Sequence, residues 1–121
     1  MPANAIHKNS VIPESVHLGY GNFINAGVFI GSGSKLSNHC ILHTGSIIDQ
    51  DCQVSNYVQI GAGAVVNPNV IIEDEVFIGS GAIIISGIKI GKGARIGAGS
   101  VVIENIKSTA TVFGNPAKPI N

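Results

Sequence analysis

The sequence predicts an all-β solenoid, a parallel β-helix of short strands and tight corners. Three observations predict it. Every sixth residue from Ile12 to Val102 is Ile, Leu or Val, with all sixteen slots filled and no insertion. Four residues after each slot runs a second, mostly small register, for example Ser34, Cys40, Ser46, Cys52, Ala64, Ala82, Ala94 and Ser100. The residue just after the aliphatic is often Gly, Asn or Asp, as at Gly19, Asn25, Gly31, Asp49, Gly61, Asn67, Gly79, Gly91 and Gly97. A period of six is neither helical nor the two-residue alternation of a simple strand. It fits one large inward side chain per short strand, a small inward partner, and a corner built from residues that tolerate φ > 0.

Taken in order, the chain has three stretches. Residues 1–11 are a lead-in. Residues 12–107 are the solenoid, in which Asn22, Ile88 and Ile106 fit the small register loosely. Residues 108–121 leave the repeat, and Gly114, Pro116 and Pro119 read as an irregular tail. The end of a β-helix is an open strand edge that needs a cap. The lead-in is short for that task.

Composition bounds the function. A chain of 121 residues makes one domain. Aromatics are only 5%, so aliphatic ladders must form the core. Charged residues are 12% with zero net charge, few enough to suggest that some faces are covered by other subunits. Nothing is basic enough for nucleic acid. No apolar stretch approaches the roughly 18 residues of a membrane span. Residues 1–9 lack the apolar core of a signal peptide, so the default compartment is cytoplasmic. Glu73, Asp74 and Glu75 read as a solvated corner rather than a metal site. His7, His17, His39 and His43 are not spaced as zinc ligands, so no metal is expected. Cys40 and Cys52 both fall on the small inward register, twelve residues apart and therefore on different sides of the tube. Buried free thiols acting as small hydrophobes are the plain reading; a disulfide or a catalytic thiol is the sharper one.

The pattern of aliphatic, then Gly, Asn or Asp, then a small residue resembles the hexapeptide repeat of the left-handed β-helix acyltransferases. That family winds three hexapeptides into one triangular coil, which implies about five coils here. The left hand comes from the resemblance alone, because the usual crossover rule for parallel strands gives the opposite hand. Within the family the chain is similar to the sialic acid O-acetyltransferases and the nucleotide-amino-sugar N-acetyltransferases of bacteria. Three stretches carry this: Ile41 to Cys52 (ILHTGSIIDQDC), Val76 to Ala82 (VFIGSGA) and Gly114 to Pro119 (GNPAKP).

The resemblance implies an acetyl-CoA-dependent sugar O- or N-acetyltransferase that works as a homotrimer. Acetyl-CoA would lie in the groove between two subunits. A histidine would act as general base on the acceptor hydroxyl or amine, because an imidazole is partly unprotonated at neutral pH and still accepts a proton. Here the chain departs from its relatives. The base position of their Thr-Gly-x-x-x-Asp-His-Asp/Glu-Cys segment holds Gln50, although the acidic neighbour persists as Asp51. Nine residues on, where relatives often have a second histidine against acetyl-CoA, stands Gln59. Glutamine keeps hydrogen bonds but takes up no proton at neutral pH. His43, where the branch usually has Asn, offers a relocated base if it meets Gln50 of a neighbouring subunit; otherwise it is a surface or interface histidine.

For the donor, Ser80 and Ala98 align with positions whose backbone lines the acetyl-CoA channel. Lys118 is either a partner for a CoA phosphate or an ordinary exposed lysine. Relatives usually carry an N-terminal domain for the sugar or nucleotide-sugar acceptor, and this chain starts almost at the repeat, so the acceptor is open. Two further readings stand beside the enzyme. One is a catalytically inactive trimeric β-helix serving as a binding or assembly module, favoured by Gln50 with Gln59. The other is an ice-binding β-helix, disfavoured because Thr44, Thr109 and Thr111 form no ranks.

Overall fold

In the computed structural model, which describes residues 2–120, the chain is an all-β, left-handed parallel β-helix. Strands eighteen residues apart pair in parallel and in register, so Ile24 lies beside Leu42, Ile48 beside Val66 and Leu36 beside Val54. Three flat faces result. Face A stacks Phe23–Ile24, Ile41–Leu42, Gln59–Ile60, Phe77–Ile78 and Arg95–Ile96. Face B stacks Phe29–Ile30, Ile47–Ile48, Val65–Val66, Ile83–Ile84 and Val101–Val102. Face C stacks His17–Leu18, Lys35–Leu36, Gln53–Val54, Ile71–Ile72 and Lys89–Ile90.

Each strand of the three stacks from His17–Leu18 to Val101–Val102 is two residues long, one outward and one inward. The inward residue is the six-residue aliphatic slot, and from Ile24 to Val102 all of these slots are buried. The small register fills the corners of the tube: Val28, Cys40, Cys52, Ala64, Val70 and Ala82 are each 0% exposed. Asn22 is buried there too, and both ends of its amide are hydrogen-bonded. Its Nδ2 donates to the Ser37 carbonyl at 3.0 Å and its Oδ1 accepts the Cys40 N–H at 2.8 Å. The backbone N–H groups of the strands bond to the next coil, as when Asp49 N–H donates to Val66 O at 2.8 Å.

The helix has about six coils rather than about five, and both ends explain the difference. At the start, Ala5–Ile6 pairs with Phe23–Ile24 and Val11 bridges to Phe29, so the ladder begins within the expected lead-in. At the end, the corner at residues 103–105 is two residues short. Ile106 therefore meets Ile90, and Val112 meets Ile96, each sixteen rather than eighteen residues back. The strand Thr111–Gly114 continues face A, and Ala117–Pro119 returns antiparallel against it, closing the last edge where the sequence suggested an irregular tail.

The corners also differ from expectation in where the left-handed backbone falls. It is not the residue after the aliphatic but the third one after it: Gly27, His39, Gly45, Asp51, Tyr57 and Gly63 all have φ between 57° and 71°. The glycine directly after the aliphatic has another cause. A Cβ on Gly79 would stand 2.6 Å from the Ala98 nitrogen, and one on Gly31 would stand 2.5 Å from the Gln50 nitrogen. Close approach of the next coil, not φ, selects glycine at these positions.

Candidate functional site

Three columns of corners run down the solenoid, and each sequence-predicted site residue falls on one of them or beside it. The corner between faces A and B is built from residues 25–28, 43–46, 61–64, 79–82 and 97–100. Thr44, Ala62, Ser80 and Ala98 stack one above another here: Gly63 N–H donates to Thr44 O at 3.0 Å, Gly81 N–H to Ala62 O at 2.9 Å and Gly99 N–H to Ser80 O at 2.9 Å. A Cβ added to Gly45, Gly63, Gly81 or Gly99 would meet nothing within 4 Å. The column is thus an exposed strip of backbone with almost no side chain. Ser80 and Ala98 were legible as members; Thr44 and Ala62 were missed, although counting back by eighteen finds both.

His43 begins this corner one coil above Gly61. Its N–H donates to Ile60 O at 2.9 Å and its carbonyl accepts from Ser46 N–H, while its side chain is half-buried. Gln59 is the outward residue of the face A strand below, in register between Ile41 and Phe77. His43 and Gln59 therefore share one edge of the tube. In the same corner, the Ser46 hydroxyl is buried without a hydrogen-bond partner among the described residues.

Gln50 and Asp51 lie on a different corner, between faces B and C. The Asp49 carboxylate accepts the Gln50 N–H at 2.8 Å, and the Gln50 carbonyl accepts from Asn69 N–H at 3.2 Å. Asp51 is exposed, with φ 57°, and its side chain lies over Gly33. The strand Ile47–Ile48 separates this corner from His43, so one chain does not bring His43 and Gln50 together. Lys118 sits on the closing strand opposite Phe113 and is exposed.

Both cysteines are free and buried, at different corners. Cys40 donates to Ser55 O at 3.0 Å and Cys52 to Asn67 O at 3.2 Å. Burial pushes the Cys40 thiol up to about 11 and raises that of Cys52, so neither is a nucleophile at neutral pH. Among the described residues no three His, Cys, Asp or Glu side chains gather as a metal site. No described helix is long and apolar enough to cross a membrane. Concavities of about 320 and 330 Å³ lie at the two ends of the solenoid, and neither is lined by His43 or Gln50.

What the arrangement offers chemically is therefore split. One corner presents bare backbone beside an imidazole, and another presents an amide flanked by Asp49 and Asp51. Between them, face B turns Phe29, Ile47, Val65, Ile83 and Val101 outward, without a polar group.

Known proteins resemble the chain in the same terms. The bacterial transferase hexapeptide model (six repeats) matches residues 51–86 and 69–104. A histidine-to-alanine mutant of GDP-perosamine N-acetyltransferase from Caulobacter crescentus, solved with CoA and GDP-perosamine, is 33% identical with a TM-score of 0.98 over 99% of this chain. The acetyltransferase domain of PglB from Neisseria gonorrhoeae, solved with acetyl coenzyme A, is 34% identical with a TM-score of 0.95 over 97%. WeeI from Acinetobacter baumannii is 33% identical with a TM-score of 0.92 over 95%. The chain spans 57% of the length of each of these three. No curated protein sequence matches it significantly.

Proposed function

We propose that the chain is a left-handed β-helix, hexapeptide-repeat acyltransferase that transfers an acetyl group from acetyl-CoA to a sugar amine in glycan synthesis, as a homotrimer. The observation that carries the proposal is the bare-backbone column of Thr44, Ala62, Ser80 and Ala98 beside an outward face with no polar group. Such a column lets a pantetheine arm lie close to main-chain donors and acceptors. The apolar face lets a second copy roof it. Relatives at 33–34% identity over nearly the whole chain hold CoA or acetyl-CoA, and an N-acetyltransferase among them holds a nucleotide-linked amino sugar.

The trimer assembles the site from two chains. When face B of one subunit packs beside the next, the His43 corner of one meets the Gln50 corner of the other. The acceptor amine attacks the thioester carbonyl, and His43 takes the proton that the nitrogen loses. The tetrahedral intermediate then expels the CoA thiolate, which leaves as the thiol with that proton. Gln50 orients the imidazole or the acceptor through its amide, and Asp51 favours the imidazolium that forms. Gln59 faces the acetyl end of the donor.

The test is CoA release with acetyl-CoA and GDP-perosamine as the probe acceptor. Turnover should fall by roughly 10²–10⁴-fold in His43→Ala, the usual worth of a general base. Unchanged turnover in that variant removes His43 as the base. A second reading, an inactive binding or assembly module, is favoured by Gln50 and Gln59 together. An idle parent that gains turnover as the Gln50→His, Gln59→His double variant would establish it.

A further inference from the structure

We infer that Arg95 is an anchor for the phosphate groups at the nucleotide end of the acyl donor. The inference rests on the donor reading above and adds a residue that the sequence did not single out.

The charges of this neutral chain are segregated. Residues 25–28, 43–46, 61–64, 79–82 and 97–100, which form the corner between faces A and B, contain no carboxylate, and face B contains no charge. The seven acidic residues, Glu14, Asp49, Asp51, Glu73, Asp74, Glu75 and Glu104, all lie on the other two corners. Along face A, the outward residues bordering the bare column read Phe23, Ile41, Gln59, Phe77 and Arg95. The first four are uncharged, and the fifth is a guanidinium.

Arg95 is exposed, and its Cζ stands 5.0 Å from the centre of the Phe77 ring. Among the described residues it makes no ion pair; the two present join Lys89 to Glu73 and Lys92 to Glu75. The ring holds the guanidinium by its face. Its N–H edge stays free, in the fork geometry that suits a phosphate. Arg95 also precedes Ala98 by three residues, a separation of at most about 10 Å along the chain.

Direction follows from the same ladder. The rung of Ile41, beside His43, is three steps above Arg95, or about 14 Å at about 4.8 Å per step. An extended pantetheine arm spans a comparable length. A donor with its thioester at the His43 level therefore brings its phosphates to the level of Arg95. The opposite direction leaves only two steps from Ile41, through Phe23 to Ala5, or about 10 Å, before the first corner at His7 and Lys8, too short a ladder for the arm.

The experiment is calorimetric binding of acetyl-CoA, acetyl-3′-dephospho-CoA and S-acetylpantetheine to the wild type, Arg95→Gln and Arg95→Lys. Arg95→Gln should weaken acetyl-CoA about tenfold or more and leave S-acetylpantetheine unchanged, with Arg95→Lys between. A loss that persists with the dephospho donor points to the diphosphate; a loss that vanishes there points to the 3′-phosphate. Equal acetyl-CoA affinity in wild type and Arg95→Gln overturns the inference while leaving the donor reading intact. Equal weakening of acetyl-CoA and S-acetylpantetheine also overturns it, because packing over Phe77 would then be the role. A wild type that binds none of the three overturns the donor reading itself and this role with it.

Discussion

Cys40 shows how a single inward position acquires a pH dependence. Its side chain is 0% exposed, and burial pushes the thiol from the ordinary 9.0 to about 11. The unfolded thiol ionises near 9.0 while the folded one keeps its proton. Between those values the unfolded state binds fewer protons, so raising the pH favours unfolding. The contribution is full below about 9 and is lost as the pH rises through about 11. Melting temperature should therefore fall across this window, and Cys40→Ala should flatten the fall even though its cavity lowers the absolute value. Parallel slopes in thermal melts of the two proteins would contradict the assignment. The corner glycines teach a related lesson about single residues. Gly79 reads in the sequence as a left-handed turn residue, yet it is glycine because the Ala98 nitrogen lies against it. Local composition marks a glycine as special, but only the next coil reveals which of its two properties is in use.

At the scale of the element, the corner between faces C and A carries a ladder of side-chain oxygens. Asn38 Oδ1 accepts Tyr20 N–H at 3.0 Å, Asn56 Oδ1 accepts Asn38 N–H at 3.0 Å and Asp74 Oδ1 accepts Asn56 N–H at 2.8 Å. These bonds join successive coils where the backbone turns and the strand ladder lapses. Asn56→Leu leaves the Asn38 N–H without its acceptor, which costs about 1–3 kcal/mol. Urea denaturation should show a lower midpoint at an unchanged slope. Gln53→Ala, on the exposed outer surface of face C, should stay within about 0.5 kcal/mol of the parent. The elements themselves were legible because the six-residue period is a direct projection of the tube onto the chain. The register of Ile24, Leu42, Ile60 and Ile78 follows from counting by eighteen. Counting failed at residues 103–105, where two missing residues shift Ile106 and Val112 out of frame and hide the last coil. The site was legible column by column: Ser80 and Ala98 belong to one corner, Gln50 and Asp51 to another. Whether His43 meets Gln50 was not legible, because the proposed contact would run between chains and no spacing within one chain encodes it.

For the whole molecule, the three outer surfaces differ too much to serve one purpose. Face C turns out His17, Lys35, Gln53, Ile71 and Lys89, a surface suited to water. Face B turns out Phe29, Ile47, Val65, Ile83 and Val101, continued by Val11, with Phe29 at 37%, Ile83 at 39% and Val11 at 55% exposure. A contiguous apolar face flanked by the two candidate-site corners is what the proposed trimer requires. Each copy would cover its neighbour's face B and bring the His43 corner to the Gln50 corner. Val65 sits in register between Ile47 and Ile83 at the middle of that face. Val65→Glu would place an unpaired carboxylate in the interface, at a cost of several kcal/mol per ion buried. Light scattering on a sizing column should show the parent as a trimer and Val65→Glu as a monomer, with Gln53→Glu on face C still trimeric. Loss of turnover should accompany the loss of assembly, because the monomer keeps both corners but never brings them together. A parent that elutes as a monomer, or a Val65→Glu protein that stays trimeric, would move the interface off face B and separate His43 from Gln50 altogether.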